Sequence, residues 1–162
     1  MKFIHIADVH FDIPFRLLAK RGLSEARRLE QRSSFRKVIN YIKENNIDYL
    51  FICGDLYDQE YIRESTINFV NDLFKQITST KIYIAPGNHD PYMKNSYYKT
   101  FNFAKNVKIF SSTLEKVQYG KINIYGYGFE DFYMKHEENQ NIHVEDEEKI
   151  NILLTHCDLD GA

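Results

Sequence analysis

Four times along this chain a short apolar run stops at a cluster of aspartate, asparagine, histidine or glycine. Lys2 to Ala7 meets Asp8-Val9-His10, and Asp48 to Cys53 meets Gly54-Asp55. Lys81 to Ala85 meets Pro86 and then Gly87-Asn88-His89-Asp90, and Asn151 to Thr155 meets His156. Apolar runs this short, bounded by turn residues, read as buried strands. Between the first two, the stretch from about Ser24 to Asn46 has neither Gly nor Pro and sets Phe35, Val38, Ile39 and Ile42 at helical spacing. Ile62 to Ile77 does the same with Phe69, Leu73 and Ile77. A β-α-β-α-β order predicts an α/β fold, with parallel strands and helices packed on the sheet. The carboxyl ends of parallel strands share one edge, where ligands bind, so the four polar clusters are expected to converge.

The rest of the chain reads more loosely. Asn95 to Lys105 is a candidate helix, Thr113 to Tyr119 and Lys121 to Tyr127 a candidate strand pair, and Glu130 to Asn141 fits neither period. No repeat, low-complexity tract or linker divides residues 1–162, so a single domain is expected. With 43% apolar and 27% charged residues the composition is globular. No apolar run approaches the ~20 residues of a membrane span, and Met1-Lys2-Phe3-Ile4-His5 does not open a signal peptide. Two cysteines, Cys53 and Cys157, suit a reducing compartment. A cytoplasmic protein without a membrane partner is expected.

The polar clusters share one chemistry. Asp8 and His10, two apart in an extended segment, would point to the same side and hold one ion. Asp55 follows a glycine and has two oxygens that can bridge two cations. Asn88 offers a carbonyl oxygen and His156 a second imidazole. Oxygen and nitrogen ligands without thiolate suit manganese, iron or zinc. Each element alone is weak: Asp-x-His and Pro-Gly-Asn also spell ordinary turns, and a lone histidine is usually structural. Four metal-capable clusters at four successive strand ends point to a site. His5, His136 and His143 lack that context and read as structural or solvated.

At these positions the sequence resembles a known family. Asp8-Val9-His10, Gly54-Asp55-Leu56-Tyr57-Asp58, Gly87-Asn88-His89-Asp90 and Leu154-Thr155-His156 are similar to the ordered motifs of the calcineurin-like metallophosphoesterases. Ile6 to Asp12 and Ile84 to Tyr92 most resemble the SbcD-type DNA repair exonucleases within that superfamily. The resemblance implies a sandwich of β-sheets flanked by helices and two divalent metal ions, manganese in that branch. Asp8 and His10 would hold the first ion, Asp55 would bridge, and Asn88 and His156 would hold the second. His89 would face the scissile phosphate as general acid or charge stabiliser, with Asp90 orienting its ring. The implied reaction is phosphodiester hydrolysis by a hydroxide bridging the two metals. The implied partners are DNA, an SbcC-type ATPase and a second copy of the chain.

One element of the family pattern is missing. The family closes its site with a Gly-His-x-His element, and none occurs between His156 and Ala162 or anywhere else in the sequence. On the resemblance the catalytic domain is therefore C-terminally incomplete, with each metal one ligand short and activity weak or lost. That leaves a non-catalytic metal- or DNA-binding module as an alternative, beside a phosphoesterase acting on nucleotides or phosphoproteins. Net charge is -2, yet Arg16 to Lys37 carries eight basic residues against Glu25 and Glu30. In a β-α unit the start of that helix lies near the catalytic edge. Arg28 and Arg32 there are candidate contacts for DNA phosphates, or else pair with acidic neighbours.

Overall fold

The computed structural model describes residues 1–133 and 142–157. Most of the ambiguous Glu130 to Asn141 stretch, with His136, lies outside them. In chain order the elements are β1 (Phe3–Ile6), α1 (Arg16–Ala19), α2 (Ser24–Asn45), β2 (Tyr49–Cys53), α3 (Glu64–Phe74), β3 (Lys81–Ala85), α4 (Tyr97–Thr100), β4 (Val107–Ile109), β5 (Glu115–Tyr119), β6 (Ile122–Gly126) and β7 (Ile150–Leu154). A 3-10 turn over Lys75–Ile77 extends α3. Asn95 to Lys105 thus keeps only one helical turn.

The strands form two sheets. The first is wholly parallel in the order β1-β2-β3-β4, and the second has the order β5-β6-β7. In the second, β5 pairs antiparallel with β6, and β7 pairs parallel with β6. Every residue of β2 is buried, because both faces of its sheet are covered. Leu50, Ile52, Ile82 and Ile84 pack against Phe35, Ile39 and Ile42 of α2 and Ile67, Val70 and Leu73 of α3. The alternate residues Tyr49, Phe51, Cys53, Tyr83 and Ala85 meet Phe110, Ile124 and Leu154 beneath the second sheet. The period of two along each strand thus divides one apolar run between two cores. The result is helices on sheet on sheet, an α/β sandwich, with the described long helices on one outer face.

Two expectations change here. The last strand was expected to be buried, but β7 bounds the second sheet, and Ile150 (51%) and Leu153 (43%) remain exposed. His156 consequently arrives from the second sheet, so the site joins the ends of two sheets and not one edge. Gly126 shows how closely those sheets meet, since a Cβ there would lie 2.2 Å from the Phe110 ring.

Candidate metal centre

The loop leaving β1 runs beside the loop leaving β2. Asp8 N–H donates to Gly54 O (3.2 Å), His10 N–H to Asp55 O (2.8 Å) and Phe11 N–H to Leu56 O (3.0 Å). Asp8 and His10 are not extended as the sequence argument assumed. Asp8 (φ 54°), His10 (50°), Asp12 (67°), Phe15 (42°) and Asp55 (55°) all occupy left-handed backbone. Asp and His tolerate that region better than most residues, and such conformations gather at functional sites, at about 1–3 kcal/mol each. Alternating left-handed residues bring the two side chains together: His10 Nε2 lies 3.9 Å from Asp8 Oδ1 and 3.5 Å from Asp55 Oδ2.

Asp55 is the hub. Its Oδ2 lies 3.5 Å from His10 Nε2 on one side and 3.5 Å from His156 Nε2 on the other. Its Oδ1 accepts from His89 N–H at 2.9 Å. Two glycines permit this crowding. A Cβ on Gly54 would fall 2.3 Å from the His156 ring, and one on Gly87 would fall 2.2 Å from Asp55 Oδ1.

The donor set fits divalent cations. His156 Nδ1 lies 3.0 Å from Cys53 O, so this nitrogen carries the proton and Nε2 presents a lone pair. That lone pair faces Asp55 Oδ2 and, at 3.2 Å, Asn88 Oδ1. Three acceptors converging without a hydrogen between them are favourable around a positive ion. Ligands about 2.0–2.2 Å from a metal sit roughly 3–3.5 Å from one another, which matches these spacings. On the other side His10 Nδ1 is buried without a partner. Cys53 is not a ligand candidate, since burial pushes its thiol up to about 11 and its contribution is the carbonyl that orients His156.

Asp90 does not orient the His89 ring. It is fully buried, and its carboxylate accepts from the backbone N–H groups of Asp55 (2.9 Å), Leu56 (2.7 Å) and Gly87 (2.6 Å) and from the Tyr98 hydroxyl (2.6 Å). It ties the end of β2 to the end of β3 from below. Burial pushes its pKa up to about 7, against the pull of Tyr98 and Gly87, while the charge of Asp55 adds to the rise. The carboxylate beside His89 is Asp58, whose Oδ2 lies 3.5 Å from His89 Nδ1. Its signal was present in Gly54-Asp55-Leu56-Tyr57-Asp58, three residues beyond the hub. His89, with 47% of its side chain exposed, stands on the rim with its ring edge-on to His10, centroids 4.9 Å apart. Among the described residues two groups of donors lie close enough to share an ion: Asp8, Asp55 and His156, and His10, Asp58 and His89.

Arg32 takes the alternative that the sequence left open and pairs with an acidic neighbour. Its guanidinium donates to Thr66 Oγ1 (2.5 Å), lies 3.6 Å from Asp12 Oδ1 and covers the Phe69 ring. Asp12 Oδ2 in turn accepts from Arg63 N–H (3.1 Å) and Thr66 Oγ1 (2.6 Å), capping the start of α3 from a distant loop. Arg28, one turn earlier on α2, is half-buried. His5 and His143 are exposed, outside both donor groups.

Strand ends of two sheets that gather Asp, His and Asn around one carboxylate fit divalent cations, the donor chemistry of metal-dependent hydrolases. Residues 1–162 match the family described as calcineurin-like phosphoesterase, and the chain belongs to that family. It is also 26% identical over 140 residues to a protein of Bacillus subtilis (strain 168) named "Uncharacterized metallophosphoesterase YhaO". That match covers 80% of this chain and 34% of the relative, so the chain spans about a third of that protein's length. The family's chemistry is metal-dependent phosphoester hydrolysis, and this chain carries candidate ligands for it. No helix among the described residues is long and apolar enough to cross a membrane.

Proposed function

We propose that the chain carries most of a two-metal phosphodiesterase centre that acts on DNA. The observation that carries this reading is that Asp55 Oδ2 lies 3.5 Å from each of two imidazole nitrogens, His10 Nε2 and His156 Nε2. Asp8 and His10 would hold one divalent cation, Asn88 and His156 the other, and Asp55 would serve both; manganese is the proposed ion. Two such ions would supply a nucleophile at neutral pH and withdraw charge from the phosphoryl oxygens. His89 presents Nε2 to the substrate. Asp58 Oδ2, 3.5 Å from its Nδ1, orients the ring, so that His89 can donate a proton to the leaving oxygen or stabilise it. Asp90 keeps the two loops in register and touches no substrate.

The nuclease assignment extends this with the SbcD-type motifs, Ile6 to Asp12 and Ile84 to Tyr92. On that reading the whole protein is a cytoplasmic DNA repair exonuclease that works with an SbcC-type ATPase, as a dimer. Further ligands for both metals would come from a Gly-His-x-His element. The test is manganese-dependent cleavage of end-labelled linear duplex DNA beside a nucleoside monophosphate and a phosphopeptide. Release of nucleotides from DNA ends supports the nuclease reading, and turnover confined to the nucleotide or the peptide refutes it.

A further inference from the structure

Next to the donor cluster a cavity of about 590 Å³ opens onto Asn88 and His89. Phe15, at the end of the loop after β1, and Arg16, the first residue of α1, line it together with Tyr61, from the loop after β2, and with Phe132 and Tyr133. Four Phe and Tyr rings and one guanidinium beside a phosphoryl-transfer centre are an unusual lining for a site that needs only metals and phosphate. Phe15 is a bulky residue held at φ 42°, ψ 50°, a conformation that costs more for it than for the Asp and His of the same loop. The Arg16 guanidinium donates to the Tyr61 hydroxyl at 2.8 Å and lies 6.0 Å from the centre of that ring. Arg27 and Arg32 have carboxylates within ion-pair reach. Among the described residues Arg16 is in none of the ion pairs, so its remaining N–H groups are available to an anion. Asp58 and Glu60 line the same cavity, so it is not a general anion trap.

We propose that this cavity is a nucleotide subsite, in which Tyr61 stacks on the base next to the scissile phosphate and Arg16 pairs with the following phosphate. The proposal rests on the phosphodiesterase reading for its orientation and deepens it, since it makes Arg16 and Tyr61 residues that select a polynucleotide over a lone phosphoester. Aromatic faces accept any base, so affinity is expected to depend little on sequence. A guanidinium matches phosphate geometry with paired N–H groups, which a lysine would not do.

The experiment is calorimetric titration with a chelator present, so that binding is read without turnover. The probes are a 5′-phosphorylated deoxyadenosine dinucleotide, dAMP and deoxyribose 5-phosphate. The dinucleotide is expected to bind about tenfold tighter than dAMP, and dAMP about tenfold tighter than the sugar phosphate. Arg16→Ala should bring the dinucleotide down to the affinity of dAMP, and Tyr61→Ala should bring dAMP down to that of the sugar phosphate. Arg27→Ala, on an exposed pair elsewhere, should change neither. Equal affinity for dinucleotide and dAMP, or an unchanged Arg16→Ala titration, would overturn the proposal. Manganese-dependent hydrolysis of bis(p-nitrophenyl) phosphate by the wild-type chain is the separate check on the underlying reading; its absence would remove that reading and leave the binding result standing.

Discussion

The floor and the rim of the candidate site use the same residue types for opposite purposes. On the floor, Asp90 is fully buried and its carboxylate takes four hydrogen bonds, three from the backbone at the ends of β2 and β3. Toward the rim, Asp58, itself buried, touches a histidine that is half open to solvent. The difference teaches that a carboxylate next to a catalytic histidine in sequence need not serve it in space. A group that satisfies buried N–H donors sets the fold, because each donor left bare costs about 1–3 kcal/mol. A carboxylate aimed at an exposed imidazole sets the chemistry by orienting that ring.

Substitutions should separate the two regions, and the largest effect belongs to the floor. Asp90→Asn places an amide against backbone donors that need an acceptor, and should destabilise the chain by more than about 3 kcal/mol. Urea denaturation followed by circular dichroism would measure it; a midpoint close to wild type would erase the distinction between floor and rim. On the rim, His89→Ala should leave the urea midpoint within about 0.5 kcal/mol of wild type. It should cut manganese-dependent phosphodiester turnover by roughly 10²–10⁴-fold. Asp58→Asn keeps the shape of the side chain and removes its charge, so a smaller loss of about 10–100-fold is expected. An Asp58→Asn loss equal to that of His89→Ala would instead make the carboxylate a metal ligand.

The floor also carries a pH dependence, and the change that Tyr98→Phe makes to it is the smallest effect. With its folded pKa pushed up to about 7 from 3.8, Asp90 holds a proton more tightly in the folded chain than in the unfolded one. Its contribution to stability is full below about pH 4 and is lost as pH rises through about 7. Tyr98→Phe removes a hydrogen bond that favours the carboxylate, so it should carry this loss to higher pH. Denaturation midpoints recorded in chelator across that range would show it. A slope the same in Tyr98→Phe and wild type would place the titration elsewhere.

The alternation of apolar runs made the parallel sheet legible, because β1, β2 and β3 are short, bounded by polar clusters and joined by Gly- and Pro-free helices. The donor residues were legible for the same reason, since each follows a strand. Their geometry was not. Nothing in Asp8-Val9-His10 announces left-handed backbone; that arises from pairing with the loop after β2, a contact more than forty residues away. The β5–β6 pair was legible as a candidate strand pair, and β7 as a strand, but their union in a second sheet was not, because β7 pairs with β6 across more than twenty intervening residues. Asp90 was misassigned because adjacency to His89 suggested a partnership, whereas its true partners lie on Asp55, Leu56, Gly87 and Tyr98. For Arg32 the sequence left a DNA contact and an acidic partner both open, and in space it clamps Asp12 and Thr66.

The account stands or falls on Asp55 as the ligand shared by two cations. Calorimetric titration of the chain with manganese, wild type beside Asp55→Asn, tests this directly. The account predicts two ions per chain in the wild type and the loss of both sites together in Asp55→Asn. A single ion in the wild type, or an Asp55→Asn isotherm that loses only one of two, would contradict it.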